Sequence, residues 1–167
     1  MGTLWLIGMM GAGKSTVGML AAGELGLPFV DLDERVAAEA GMAVQEIFAA
    51  EGEDGFRRRE RAAVAAVAGT VAVVACGGGV VLVEENVARL RASGRVVWLD
   101  APAAELEDRV AGGAGRPLLS GGAGGLGPIL AARSAAYAAA AHCRVETAGR
   151  RPGEVTEEVV RLWRAGK

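Results

Sequence analysis

The segment at residues 8–16, GMMGAGKST, most narrows the folds open to this chain. It follows the apolar run TLWLI. Gly8, Gly13, Lys14 and Ser15 match the pattern G-x-x-x-x-G-K-[ST] of a phosphate-binding loop, or P-loop. Glycine lets backbone N–H groups approach a phosphate that a side chain would block. The apolar run predicts a strand, and the residues after the loop predict a helix whose N-terminus favours the same anion. The alternative is a glycine-rich turn that matches the pattern by chance.

The P-loop predicts a nucleoside triphosphate as ligand. We expect Lys14 to reach the β- and γ-phosphates and Ser15 to ligate Mg²⁺. A P-loop alone does not separate a kinase from a GTPase or a motor. However, no N-K-x-D-type guanine-reading segment occurs, and 167 residues are too few for a motor, which favours a small-molecule kinase. The loop residues expected at the nucleotide are Gly11, Ala12, Gly13, Lys14, Ser15 and Thr16.

Short apolar runs alternate with helical patterns along the chain. Strands are predicted at TLWLI, FVDL, TVAVVAC and RVVWLD and near CRVET. Helical patterns lie between them, at about residues 14–25, 33–40, 44–50, 54–68 and 154–164, in ENVARLRAS, after Pro102 and through Tyr137. This alternation predicts an α/β fold, a parallel sheet with helices on both faces. Since we find no repeat and no domain-scale linker, residues 1–167 are expected to form one domain.

Charge and cysteine content narrow the class of protein further. The net charge of −2 argues against nucleic acid as a partner. The chain has two cysteines, Cys76 and Cys143, at no metal-ligand spacing, and these fit a reducing cytosol. The N-terminus lacks the features of a secretory signal peptide. We therefore expect a cytoplasmic protein.

One uncharged stretch, residues 62–83, is long enough on paper to span a bilayer. It is interrupted by Gly69 and by three successive glycines at 77–79. Its first part is rich in alanine and is typical of a helix end, whereas TVAVVAC is β-branched and typical of a buried strand. The pattern therefore favours a core segment over a membrane span.

Two carboxylates, Asp31 and Asp33, are predicted to close the second strand. In a strand they would face the same side, and strand ends line the ligand crevice of such sheets. One carboxylate could order the water shell of Mg²⁺, and the other could bind or deprotonate an acceptor hydroxyl. The alternative for Asp33 is a helix N-cap ahead of ERVAAEA.

The segment FRRRERA places Arg57 and Arg61 four residues apart on one helical face, beside Glu60. A guanidinium fork there could bind an anionic substrate. For any single arginine, however, a solvated and salt-bridged face is the more common outcome.

Glycine and aspartate mark the ends of the next two strands. The three glycines of CGGGVV could let the backbone approach a ligand, although a flexible turn is the alternative. Asp100 ends its strand as the carboxylate of a Walker B motif does, but we interpret it as a cap before Pro102. Pro102 is predicted to open a helix at its N1 position.

Residues 112–125 have the composition of a lid. Eight of the sixteen residues from 112 to 127 are glycine, which would supply hinges. Closure could bring Arg116 onto the transferring phosphate. The alternative is a disordered surface loop.

Taken together, the motifs resemble the shikimate kinase family of nucleoside-monophosphate-kinase-like P-loop proteins. The matching segments, in chain order and over nearly the whole chain, are GMMGAGKST, DLD, IFAAEGEDGFRRRE, CGGGVV, RPLL and RSAAY. The resemblance implies a three-layer P-loop sandwich with a five-stranded parallel sheet in the order 2-3-1-4-5 and a mobile lid. It also implies ATP and Mg²⁺ as cofactors and phosphorylation of the 3-hydroxyl of shikimate, a step of chorismate and aromatic amino-acid biosynthesis.

The resemblance also implies roles for single residues within a substrate-binding region at about 33–61 and a nucleotide site. The catalytic residues would be Lys14, Asp33 and Arg116. Asp33 would contact the acceptor hydroxyls as the candidate base, with Asp31 in the magnesium water shell beside Ser15. The substrate contacts implied are Arg57 and Arg133 on the carboxylate and Gly78 and Gly79 through the backbone; Arg109, Arg150 and Pro152 would flank the adenine, and Arg116 is the lid arginine.

Two further functions stay open at this point. One is a gluconate kinase or another small-molecule P-loop kinase. The GGG segment and the pair Arg57 and Arg133 favour a compact ring with a carboxylate as the substrate instead. The other is a non-catalytic nucleotide-binding module that regulates partners. Such a module would be expected to have lost site residues, whereas Lys14, Ser15, Asp33 and Arg116 are all present. We expect a monomer that binds a small molecule, with neither nucleic acid nor membrane as a partner.

Overall fold

The structure is a computed structural model that describes residues 2–112 and 125–166. Within these residues the strands are β1 (Thr3–Ile7), β2 (Phe29–Asp31), β3 (Val73–Ala75), β4 (Gly94–Asp100) and β5 (Cys143–Glu146). The helices are α1 (Lys14–Leu25), α2 (Leu32–Ala40), α3 (Val44–Val67), α4 (Glu84–Ser93), α5 (Ala103–Ala111), α6 (Gly127–Ala140) and α7 (Pro152–Ala165). A short 3₁₀-helix, Val80–Leu82, follows β3.

The strands form one five-stranded parallel sheet in the order β2-β3-β1-β4-β5, which confirms the predicted α/β fold and strand order. In the register, Leu4 of β1 lies between Val73 of β3 and Arg95 of β4. Because all strands run the same way, their carboxyl ends meet at one edge of the sheet. The loops after β1, β2 and β3 therefore lie side by side.

The central strand explains why helices cover both faces of the sheet. All five residues of β1 are buried. Successive side chains of a strand point to opposite faces, so a strand buried throughout needs cover on both sides. Helix α1 packs close to the edge strand, since a Cβ on Gly18 would lie 2.5 Å from the Phe29 ring.

Helix α3 is broken near its middle. Gly52 has φ 69° and ψ −175°, which is outside the helical region. A positive φ is accessible to glycine at little cost. The break separates residues 44–51 from residues 53–67, in agreement with the two helical segments predicted from the sequence.

The end of β2 differs from the prediction in a way that affects the site. Strand β2 ends at Asp31 and α2 begins at Leu32, so Asp33 lies in a helix and not in the strand. The capping residue is Asp31: its Oδ1 accepts from the backbone N of Asp33 at 3.0 Å and of Glu34 at 3.3 Å. The N-cap alternative therefore named the wrong aspartate. The first turn of a helix has free N–H groups, and the Asp31 carboxylate satisfies two of them.

The end of β4 also differs from the prediction. The Asp100 carboxylate does not cap the next helix but pairs with Arg144 of β5 at 2.6 Å. Pro102 is the N-cap residue of α5 rather than its first helical residue. The parallel pairing of β4 with β5 brings Arg144 within reach of Asp100, a contact that sequence spacing does not reveal.

Residues 62–83 divide among the end of α3, strand β3 and the 3₁₀-helix. In the described part of the chain, no helix is long and apolar enough to cross a membrane. The segment is part of the core, as its composition favoured.

Candidate active site

A cleft of about 1110 Å³ opens at the carboxyl edge of the sheet. Among the described residues, it collects those to which the family resemblance assigned a site role, whereas Arg61 of the considered arginine pair does not line it. Arg116 and the rest of residues 113–124 lie outside the described residues. The predicted residues that line the cleft are Gly11, Ala12, Gly13, Lys14, Ser15, Thr16, Asp31, Asp33, Arg57, Gly78, Gly79, Arg109, Arg133, Arg150 and Pro152.

The P-loop forms the wall of the cleft at the N-terminus of α1. Gly11 has φ 81°, and a Cβ there would lie 2.8 Å from the carbonyl oxygen of Leu106, so no larger residue fits. The Lys14 ammonium donates to the carbonyl oxygens of Gly8 and Met9, each at 2.8 Å. The loop thus holds its own lysine at the cleft, and it presents the N-terminus of a 12-residue helix to an anion.

Two oxygen ligands lie together beside the loop. The Ser15 hydroxyl donates to Oδ2 of Asp31 at 2.6 Å. The other Asp31 oxygen caps α2, so the carboxylate is fixed by backbone amides on one side and faces Ser15 on the other. A hydroxyl and a carboxylate are the kind of hard oxygen ligands that Mg²⁺ takes from proteins. The residues described contain no group of three or more His, Cys, Asp or Glu side chains able to hold a metal ion.

The three glycines after β3 bring charged side chains against the backbone. A Cβ on Gly77 would lie 2.7 Å from Oδ1 of Asp33 and 3.2 Å from Oε2 of Glu60. A Cβ on Gly79 would overlap the guanidinium of Arg57. The flexible-turn alternative is therefore not needed, because these glycines make room for the carboxylates and the guanidinium.

Glu60 is a site residue that sequence reasoning noticed only as a neighbour. It is fully buried and lines the cleft. Its carboxylate accepts from Nη1 of Arg57 at 2.9 and 3.1 Å. Burial raises the pKa of Glu60; the Arg57 guanidinium opposes this shift, and the nearby Asp33 carboxylate adds to it. The i, i+3 spacing in RRRE was the signal that could have identified this pair.

Arg57 is held from several directions. Besides Glu60, it contacts Glu53 at 3.4 Å and lies 5.4 Å from the centre of the Phe56 ring. Phe56 in turn stacks on Phe48, with ring centroids 4.7 Å apart, and both rings line the cleft. The guanidinium therefore has a defined place beside an apolar wall that no motif had indicated.

Two other arginines of FRRRERA, Arg59 and Arg61, form ion pairs and do not line the cleft. Arg61 is half-buried and pairs loosely with Glu85 at 3.8 Å, and Arg59 pairs with Glu51 at 2.7 Å. The salt-bridged alternative, which the sequence favoured for any single arginine, is therefore correct for Arg61. Arg57 lies against Gly79 in the loop after β3, whereas Arg61, four residues later, reaches Glu85 of α4.

Helix α6 contributes Arg133 and Tyr137 to the same region. A Cβ on Gly78 would lie 3.5 Å from Nη1 of Arg133. The Tyr137 hydroxyl donates to the carbonyl oxygen of Gly78, and its ring stacks on Trp98 with centroids 5.7 Å apart. Tyr137 was predicted only to be helical, and nothing in the sequence indicated the contact with Gly78.

At the far end of the cleft, a network joins the P-loop to the loop after β5. Arg109 donates to the carbonyl oxygen of Gly11 at 3.2 Å and to the Oγ1 and O atoms of Thr147 at 3.0 and 2.9 Å. Arg109 also pairs with Glu105, which accepts from the backbone N of Gly149 at 3.1 Å. These contacts bring the P-loop beside the segment that carries Arg150 and Pro152.

This geometry agrees with a comparison against known proteins. The family model described as shikimate kinase matches residues 10–164. The chain belongs to the shikimate kinase family. It is therefore a kinase, as predicted, and kinases of this family use ATP.

Individual relatives agree with the family assignment. The shikimate kinase of Symbiobacterium thermophilum is 51% identical over 160 residues, covering 93% of this chain and 92% of that protein. The solved shikimate kinase of Acinetobacter baumannii, in complex with shikimate, superposes with a TM-score of 0.94 at 32% identity over 100% of this chain and 95% of that one. A gluconokinase from Sinorhizobium meliloti gives a TM-score of 0.57 at 18% identity, with 98% and 94% of the two chains covered, and shares only the fold. The gluconate-kinase alternative is therefore not favoured.

Proposed function

We propose that this chain transfers the terminal phosphoryl group of ATP to the 3-hydroxyl of shikimate. The observation that carries the proposal is one cleft that holds a P-loop at one wall and Asp33, Arg57 and Arg133 around the glycines after β3. A cationic phosphate site and a cationic carboxylate site thereby flank the Asp33 carboxylate. The close shikimate kinase relatives support shikimate as the acceptor.

The phosphate end of the cleft binds and neutralises charge. Lys14 and the backbone N–H groups of the P-loop cradle the phosphates, and the N-terminus of α1 adds its dipole. Ser15 and Asp31 would hold Mg²⁺. The ion, when bound, would neutralise charge on the phosphate oxygens during transfer. Arg109, Arg150 and Pro152 are proposed to flank the adenine.

The acceptor end orients the hydroxyl. Arg57 and Arg133 bind the substrate carboxylate by charge-assisted hydrogen bonds, and the backbone of Gly78 and Gly79 contacts the ring. Asp33 then accepts the hydrogen bond of the attacking hydroxyl and takes its proton as the oxygen bonds to the γ-phosphorus, while the bond from that phosphorus to the bridging oxygen breaks and ADP leaves. Since phosphoryl transfer has a loose transition state, most of the acceleration comes from this positioning and charge neutralisation.

An ADP-release assay tests the proposal directly. We expect ATP- and Mg²⁺-dependent turnover with shikimate, and background rates with gluconate and with nucleoside monophosphates. Turnover of gluconate in preference to shikimate would refute the assigned acceptor. Nucleotide binding without turnover of any acceptor would favour the non-catalytic module.

A further inference from the structure

The hydroxyl of Tyr137 joins two parts of the cleft that are far apart in the chain. It donates to the carbonyl oxygen of Gly78, 59 residues away. The Arg133 guanidinium, one helical turn earlier, acts on the same hydroxyl and lowers its pKa by its charge and by hydrogen bonding. A single oxygen thus connects α6 to the loop after β3. Arg133 and Gly78 both line the cleft.

The rest of the tyrosine leaves this oxygen little freedom. Its side chain is fully buried, and its ring lies nearly parallel to Trp98, at 25° and 5.7 Å. Helix α6 is itself anchored at its C-terminus, where Arg91 donates to the carbonyl oxygens of Ala139, Ala140 and Ala141 at 3.1 to 3.3 Å. The hydroxyl is therefore held at one place relative to the sheet.

The charge state of the phenol suits a fixed donor. Burial raises the pKa of Tyr137 to about 12, although the positive charge of Arg133 opposes the shift. At neutral pH the oxygen keeps its proton, so it can donate to Gly78 while it accepts from Arg133. A deprotonated or absent hydroxyl would leave the Gly78 carbonyl without this donor.

We propose that Tyr137 is a positioning residue for the carboxylate of the acceptor, because its hydroxyl fixes the Arg133 guanidinium against the backbone of Gly78. The inference deepens the proposed function and rests on it. Arginine has many rotamers, and a guanidinium fixed before binding loses less entropy when the carboxylate arrives. Tyr137 acts through Arg133 and does not itself touch the reacting atoms.

The substitution Tyr137→Phe removes the oxygen and keeps the ring stack. We expect the dissociation constant for shikimate to rise by about three- to tenfold, the effect typical of one neutral hydrogen bond, while the constant for ATP stays within twofold of the wild type. Thr3→Val is the matched control, since Thr3 is buried and its hydroxyl donates to the Thr70 carbonyl oxygen at 2.7 Å, away from the cleft. Thr3→Val should lower thermal stability and leave both constants unchanged. Unchanged shikimate affinity in a folded Tyr137→Phe protein would overturn the proposal.

A double-mutant cycle shows whether Tyr137 acts through Arg133. In the Arg133→Ala background, Tyr137→Phe should change kcat/KM for shikimate by less than about twofold. Equal and additive effects in both backgrounds would mean a general structural role and would overturn the proposal. Wild-type protein without shikimate turnover would instead refute the proposed function, before any variant is compared.

A spectroscopic measurement covers the case in which Tyr137→Phe fails to fold. The chain has a single tyrosine, so carbon-13 at the phenol Cζ gives one resonance. We expect shikimate to shift this resonance and ADP alone to leave it in place. The shift should be lost in Arg133→Lys, in which no guanidinium remains to transmit it. A resonance that shikimate does not move would overturn the proposal.

Discussion

Asp31 and Asp33 are two positions apart, yet the structure gives them separate neighbours. Asp31 is held by the amides of α2 and by Ser15. Asp33 lies in the first turn of α2, against Gly77 and close to Glu60. The first carboxylate faces the phosphate wall of the cleft and the second faces the acceptor end. Their division of work can therefore be tested by substitution.

We expect Asp33→Asn to lower kcat by roughly 100- to 10,000-fold, the range typical of a positioned general base. The affinity for ATP should hardly change. Asp31→Asn should instead raise the Mg²⁺ concentration needed for half-maximal rate, while the helix stays capped because asparagine caps as well as aspartate. Steady-state kinetics with Mg²⁺ titration, together with melting temperatures, separates the two. Normal kcat in Asp33→Asn would leave catalysis to positioning alone.

Arg57 and Arg58 form a matched pair for testing the carboxylate site. Arg57 lines the cleft, whereas its neighbour Arg58 is exposed and outside it. Arg57→Ala removes the proposed charge-assisted partner of the shikimate carboxylate, so we expect shikimate binding to weaken by about 2–5 kcal/mol. ATP binding should persist. Calorimetric titration of both variants provides the measurement, and Arg58→Ala should behave as the wild type. An equal loss of shikimate affinity in both variants would mean that overall positive charge, and not a specific contact with Arg57, binds the carboxylate.

Glu60 predicts a pH dependence of stability. Its folded-state pKa is raised, chiefly by burial, so the folded protein holds this proton more tightly than the unfolded chain does. Its contribution to stability is therefore complete below the ordinary glutamate pKa of about 4.3 and is lost as the pH rises through the raised value. The free energy of unfolding of Glu60→Gln minus that of the wild type should therefore increase as the pH rises over that interval, because only the wild type loses this contribution. Urea unfolding across the pH series measures it, and a flat difference would contradict the raised pKa.

At the scale of elements, α3 and the loop after β3 are fitted to each other. Gly77 accommodates the carboxylates of Asp33 and Glu60, and Gly79 accommodates Arg57. The sequence suggested each element separately, the arginine segment as a helix and GGG as a close backbone approach. Their contact depends on strand β3 ending beside the kinked helix, which is a property of the assembled sheet.

Gly79→Ala tests this fit. Gly79 has φ −100°, a value that alanine adopts, but the added Cβ would overlap the end of the Arg57 side chain. Because that end is flexible, we expect the arginine to move, with a change in stability below about 1 kcal/mol and a rise in KM for shikimate. Gly23→Ala is the control, as nothing lies within 4 Å of its Cβ in α1. It should gain about 0.5–1 kcal/mol of stability with unchanged kinetics. Unchanged KM in Gly79→Ala would contradict the fit.

At the scale of the whole molecule, the parallel sheet brings the loops after β1, β2 and β3 to one edge. Arg109 then ties the P-loop to the loop after β5 through Gly11 and Thr147. Residues from both ends of the chain thus form one cleft, and ligands bound there should stabilise the entire fold. The monomeric state expected from the sequence stays a prediction.

Ligand-linked stability is the matching test. ATP with Mg²⁺ at about 100 times its dissociation constant should add about 2.7 kcal/mol to the free energy of unfolding of the wild type. We expect Lys14→Ala to melt within a few degrees of the wild type without ligand, since its ammonium contacts loop carbonyls rather than the apolar core. The variant should lose turnover and most of the stabilisation by ATP but keep that by shikimate. A folded Lys14→Ala protein with near-normal turnover would refute the role of the P-loop lysine.

The sequence by itself determined the P-loop, the alternation of strands and helices and hence the α/β fold, the strand order through the family resemblance, and the family. The P-loop and the strand pattern can be recognised locally, because a P-loop acts through its own backbone and burial on both faces makes a strand apolar throughout. The strand order is not local and came from the resemblance alone. The tertiary structure decided that Glu60 and Tyr137 join the site, that Arg57 enters the cleft while Arg61 does not, and that Asp31 caps α2 while Asp100 pairs with Arg144. Each of these outcomes depends on which group lies next to a side chain in the folded protein. In most of them that group belongs to another helix, strand or loop. The periodicity of a helix or a strand shows which residues share a face, but it does not show which other element packs against that face.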